Sequence, residues 1–220
     1  MKNYIFLLLL ATTTLSFAQQ TPTVKDTITK AATKTDTTEK PEKTPEQKRA
    51  EEYAKLIKKG GIERNGLFTI RKIEEKWYFE VPDSLLNRYL LCVTRLKAAP
   101  HNFGLYAGEK VNEQTVYFEQ KGEKTLLLRS FLNLQEADSE DNISVALANS
   151  SANPVVASFT VIGRNPKTKA QLIDITDFFK QDNSITSFSS NAKTQMKIGA
   201  IANDRSFVDD IRPYPINVEV

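Results

Sequence analysis

The chain has 220 residues, 26% of them charged, and a formal net charge of +3. That length suits one domain or two small ones, and the interspersed acids and bases leave no concentrated basic face for nucleic acid. Cys92 is the single cysteine, which excludes an intramolecular disulfide, so stability has to come from an apolar core.

Met1-Lys2-Asn3 gives a short positive start, Tyr4 to Ala11 a Leu-rich apolar core, and Thr12 to Ala18 a tail of mostly small residues. This is the three-part pattern of a secretory signal peptide (residues 1–18), and its core is too short to span a bilayer. With Ser16 and Ala18 as the small cleavage-site residues, the cut is expected between Ala18 and Gln19. No cysteine follows it, which argues against a lipid anchor, and no later segment reaches the length of a membrane helix. The expected product is exported, to the periplasm or beyond.

Gln19 to Thr44 is rich in Thr, Lys, Asp, Glu and Pro, with Val24 and Ile28 its only large aliphatic residues. So little apolar surface cannot offset the entropy of ordering, and a disordered linker is expected over 19–44. Thr44-Pro45-Glu46-Gln47 then reads as a capping box, with Pro at the first helical position. Ala50, Tyr53, Ala54 and Ile57 share a helical face, and Lys58-Lys59-Gly60-Gly61 supplies a basic end and a glycine stop. A helix is predicted from Pro45 to Lys59.

Beyond it the chain reads mainly as strands. Leu67 to Ile73 and Trp77 to Val81 flank a charged Glu74-Glu75-Lys76 turn and predict a hairpin. In its second strand Trp77, Phe79 and Val81 share one face, Tyr78 and Glu80 the other. Pro82-Asp83-Ser84 breaks the strand, with Asp83 or Ser84 suited to cap a single turn through Asn87. An extended run from Arg88 to Leu96 leads into a long loop, Lys97 to Asn112. Glu113 to Gln120 and Lys124 to Phe131 predict a second hairpin, and Asp138 to Ser150 a short helix. Pro154 to Ile162 and Ala170 to Ile175 are β-like. Thr176 is placed to cap one helical turn, and Asn183 to Gln195 reads as irregular. The alternation of Ile216, Val218 and Val220 with Asn217 and Glu219 is strand-like up to the last residue.

Chemistry-bearing patterns are sparse. His101, the only histidine, follows Pro100 in the long loop with no nucleophile-elbow motif anywhere. Zinc needs several converging His, Cys or carboxylate ligands at ~2 Å, and the chain has neither His-Glu-x-x-His nor Cys-x-x-Cys. Cys92 lies in Tyr89-Leu90-Leu91-Cys92-Val93, the setting of a small buried hydrophobe. The doublets Glu51-Glu52, Glu74-Glu75 and Asp209-Asp210 point their neighbours apart and read as solvated charge. Asp138-Ser139-Glu140-Asp141-Asn142 lacks the glycine and spaced Glu of a calcium loop, and fits helix capping. No catalytic, cofactor-binding or metal-binding residue is assigned. Trp77, Tyr78, Phe79, Tyr89, Tyr117 and Phe118 read as core, with Tyr78 and Tyr117 candidates for an exposed docking face.

Three stretches carry a resemblance: Tyr53-Ala54-Lys55-Leu56-Ile57-Lys58-Lys59-Gly60-Gly61, Gly66-Leu67-Phe68-Thr69-Ile70, and Lys76-Trp77-Tyr78-Phe79-Glu80-Val81-Pro82-Asp83-Ser84-Leu85-Leu86. Together they resemble the opening of large secreted bacterial zinc-dependent metalloproteases. Val93-Thr94-Arg95 and Gly108-Glu109-Lys110-Val111-Asn112-Glu113-Gln114 extend the similarity. In that family a His-Glu-x-x-His helix holds zinc in a separate, more C-terminal domain. The resemblance therefore implies a non-catalytic N-terminal accessory or prodomain-like region, cut short before the protease domain. It carries over no zinc ligand, and its implied partner is a catalytic domain. A stand-alone periplasmic interaction module is the alternative.

The expected fold is α+β: mainly antiparallel β-sheet with a leading amphipathic helix and a few short helices. The expected division is a helix-plus-hairpin module over 45–97 and a β-rich second domain over 98–220, incomplete at its C-terminus. One continuous sheet system stays open as the other arrangement.

Overall fold

The first helix, α1 (Pro45–Ile57), begins where the capping box places it. The Thr44 hydroxyl accepts from the Gln47 amide at 3.3 Å, and the Gln47 side chain accepts from the Thr44 amide at 3.1 Å. Tyr53 is buried and Leu56 and Ile57 partly so, whereas Ala54 faces solvent. The covered stripe is therefore rotated slightly from the one the spacing suggested. At its far end the chain turns back so tightly that a Cβ on Gly61 (φ +128°) would sit 2.1 Å from the Lys72 carbonyl oxygen.

The computed structural model describes residues 43–132 and 152–220. Two antiparallel sheets dominate it. The first contains β1 (Ile62–Arg64), β2 (Thr69–Ile73), β3 (Lys76–Val81), β8 (Gly163–Arg164) and β9 (Gln171–Asp174), in the order β1-β2-β3-β9-β8. The second contains β4 (Leu90–Arg95), β5 (Lys110–Lys121), β6 (Thr125–Ser130) and β7 (Val155–Thr160), in that order. Glu74 at φ 56° and Gly122 at φ +64° make the tight turns of the two expected hairpins.

Both faces of the first sheet are covered. Ile70, Trp77, Phe79, Val81 and Ile173 share one core with Val116, Phe118, Leu126, Leu128 and Phe159 of the second sheet. Each such side chain contributes roughly 1.5–3 kcal/mol by leaving water. The opposite face carries Ile73, Tyr78 and Leu172 and is closed by Tyr53, Leu56 and Ile57 of α1. The layers are helix, sheet, sheet: an α+β fold built mainly of antiparallel strands. Tyr78, read from sequence as core or as a candidate docking residue, is buried because α1 lies over it.

Strand pairing crosses the expected boundary at 97/98. β3 pairs with β9, Phe79 opposite Ile173 and Glu80 opposite Leu172, so the first sheet is completed by residues from the second segment. The break after Val81 is a 3-10 turn (Asp83–Leu85) without a side-chain cap, since Pro82 holds the N-cap position, and Asp83 accepts from Arg164 and Gln171 instead. Helix α2 (Thr176–Lys180) is likewise not capped by Thr176. The Thr176 hydroxyl accepts from the Trp77 amide at 2.9 Å, while Asp174 Oδ1 accepts from the Thr176 amide at 3.0 Å.

Helix α3 (Ser190–Met196) forms inside the segment expected to be irregular. It is capped by Ser189, whose hydroxyl accepts from the Ala192 amide at 3.2 Å, and it buries no residue. Near the C-terminus β10 (Arg212–Pro213) and β11 (Val218–Glu219) form a small antiparallel ribbon. Gly66 lets the ribbon approach, because a Cβ there would sit 2.7 Å from Pro213.

Candidate functional site

Beneath α1 the first sheet encloses a polar cluster. Glu80 is 2% exposed, and its Oε1 accepts from the Tyr53 hydroxyl at 2.8 Å and from Arg71 Nε. Its Oε2 accepts from Asn165 Nδ2 at 3.0 Å. Asn165 Nδ2 also donates to the Tyr53 oxygen at 2.9 Å, as does Arg71 Nη2 at 3.1 Å, and Arg71 Nη1 reaches Glu63 at 2.6 Å. Burial, then donation to Glu80 and that carboxylate's charge, pushes the Tyr53 phenol up to about 12. For Arg71 burial pulls downward, but Glu80, Tyr53 and Glu63 outweigh it and hold the guanidinium above its usual range. The phenol is thus a firm donor and the guanidinium a fixed cation. The cluster closes on itself and locks α1 to the sheet.

Elsewhere several titratable groups are matched locally. Asp174, which holds Lys76 at 2.8 Å, and Asp182, which holds Lys193 at 2.6 Å, both line a cleft of about 330 Å³ between β7 and α2. Burial alone would raise Asp174, but its hydrogen bonds to Lys76 and Thr176 bring it below the usual carboxylate range. Arg212 and Arg64 draw Asp210 down to about 2. Among the described residues no group of three or more His, Cys, Asp or Glu side chains could hold a metal ion.

The residues singled out from the sequence fall apart in space. His101 is exposed between β4 and β5, without a hydrogen bond or ion pair among the described residues. Cys92 is a free thiol on the core-facing row of β4, and burial pushes it up. Glu51 is bound by Lys43, Glu74 by Lys59 at 3.2 Å, and Asp209 by Lys97 at 3.4 Å. The helix expected over Asp138 to Ser150, the expected signal sequence and most of the expected linker lie outside the described residues. No described helix is long and apolar enough to cross a membrane.

Part of what the structure leaves exposed is apolar. On the outer face of the second sheet, Tyr89 stacks on Phe131 at 4.4 Å and meets Tyr117 edge-on at 5.7 Å. Tyr89, Leu91 and Val93 stand in solvent along β4 and its entry. Tyr117 is half-buried, its hydroxyl accepting from Asn153 at 3.2 Å.

Two sequence families match the chain. One domain of unknown function, DUF5118, covers residues 50–99, and another, DUF5117, covers residues 108–220. The chain belongs to the DUF5117 family. Its DUF5117 segment supplies β5 to β11, and the DUF5118 segment supplies most of α1 together with β1 to β4. No curated protein and no solved structure matches the chain.

Sequence reasoning missed the cluster of Tyr53, Glu63, Arg71, Glu80 and Asn165. Its one local signal is Glu80, a carboxylate inside the apolar run Trp77 to Val81. Asn165, 85 residues further on, leaves no trace near it.

Proposed function

We propose that this chain is a non-catalytic accessory region, similar to the N-terminal part of secreted zinc-dependent metalloproteases, that acts by docking a partner domain. The observation that carries this reading is the apolar row left in solvent along β4 and its entry, Tyr89, Leu91 and Val93. A chain that buries Val81, Leu126 and Leu172 completely has the means to form a core. Apolar surface held outside such a core marks an interface. Zinc in this reading belongs to the partner, and export through the signal sequence brings both to the periplasm or the exterior.

The resemblance is consistent with the part these residues play. Lys76 to Leu86, one of the stretches that carry it, builds β3 and the 3-10 turn, so it specifies core and turn positions. The test is to read the gene beyond Val220 for an in-frame His-Glu-x-x-His segment and to express that segment with and without this chain. The expected result is a stable complex in which the partner binds zinc and this chain alone cleaves no casein. Metal-dependent cleavage by this chain alone would overturn the reading. A gene without such a segment would leave the stand-alone interaction module.

A further inference from the structure

Strand β4 ends the second sheet: it pairs with β5 on one side and with no strand among the described residues on the other. Such an edge offers unpaired N–H and C=O groups to an incoming chain, and proteins usually guard it with Lys, Pro or a bulge. Here Leu90-Leu91-Cys92-Val93 contains no charge and no proline, and the only irregularity falls at Thr94/Arg95, the far end. Outward, Leu91 is 67% exposed, Tyr89 58% and Val93 42%. Inward, Leu90 and Cys92 touch the core yet remain only partly covered. Both rows therefore stop one strand short of closure.

The ends of this edge are cationic. Arg88 and Arg95 are exposed and form no ion pair among the described residues; Arg95 donates only to the Gly108 carbonyl at 2.9 Å. Glu113, opposite Val93 on β5, is held by Lys110 at 3.0 Å and does not neutralise them. A second copy fits poorly. Antiparallel self-pairing centred on Leu91 sets Arg95 of one copy opposite Asn87 and beside Arg88 of the other, gathering arginines at both ends.

We propose that the β4 edge is a strand-addition site for an extended polypeptide segment with apolar residues at alternate positions and acidic residues at its ends. Main-chain pairing would supply affinity, the row Tyr89-Leu91-Val93 would take alternate apolar side chains, and Arg88 and Arg95 would take the carboxylates. This rests on the interaction-module half of the function proposed above, and not on the partner being a protease.

The test uses the full exported chain and three peptides: Glu-Glu-Val-Thr-Val-Thr-Val-Glu-Glu, the same core with Lys at all four ends, and the acidic peptide with its central Val replaced by Pro. The acidic peptide is expected to slow hydrogen exchange of the β4 amides and to bind at least tenfold tighter than the other two. Leu91→Asp, at an exposed position, should weaken it at least tenfold with an unchanged melting temperature. Equal affinity for the three peptides, or no protection of β4, overturns the proposal. So does a concentration-dependent dimer that Leu91→Asp dissolves, since a second copy would then be the occupant. None of these outcomes bears on whether the gene encodes a zinc segment, so the two proposals fail separately.

Discussion

Glu80 and Tyr53 show how one buried carboxylate organises its surroundings. An isolated charge in this position would cost several kcal/mol, and it persists because Tyr53, Arg71 and Asn165 each donate to it, three contacts in all. Replacing Tyr53 by Phe removes a donor from Glu80 and an acceptor from Arg71 and Asn165, an expected loss of about 1–3 kcal/mol in urea unfolding near neutral pH. The pH dependence follows from the raised phenol, about 12 in the fold against 10.0 for a free side chain. Below the lower value both states hold the proton and the contribution is complete. Above it the unfolded phenol ionises first, so the contribution fades as pH rises toward the upper value. The stability gap between the native chain and Tyr53→Phe should therefore narrow from about pH 10 to about pH 12, and a gap that widens would contradict the assignment.

At the level of elements, the capping box and the glycine stop of α1 were plain in the sequence because both are local chemistry. Thr44→Ala should cost about 1 kcal/mol by freeing the Gln47 amide. Gly61→Ala should cost more, since its Cβ would collide with a main-chain oxygen that cannot swing aside and φ +128° disfavours any side chain. Thermal melts of the two variants, ranked against each other, check this order. Helix α3 was illegible for the converse reason. It buries nothing, so no apolar period marks it, and a Ser cap among many serines carries little information. The cap of α2 was misassigned because Thr176 is engaged by Trp77, 99 residues away, before it can serve its own helix.

For the whole molecule, the two family segments meet in the loop between β4 and β5, close to the boundary expected from sequence. Folding does not respect that boundary. β3 is flanked by β2 and β9, and Leu172 and Ile173 contribute to the two apolar faces of the first sheet. A fragment of residues 43–99 is therefore expected to stay unfolded by circular dichroism and to gain structure only when residues 108–220 are added. A fragment that folds alone would show that α1, β2 and β3 suffice without β9.

Periodicity, turn residues and caps determined most of the elements in this chain, because each is a contest between neighbours a few residues apart. The antiparallel α+β class follows from them almost directly. Which faces are buried was another matter: Tyr78 reads as either core or docking surface until α1 is laid across it, and the partners of Glu80 are fixed only when Tyr53, Arg71 and Asn165 converge. That β4 pairs with one strand only among the described residues is also a tertiary fact, since a strand's sequence does not say whether one neighbour or two will pair with it. Backbone hydrogen bonds across a sheet are indifferent to sequence separation, so pairing and exposure were settled only when the whole chain had packed.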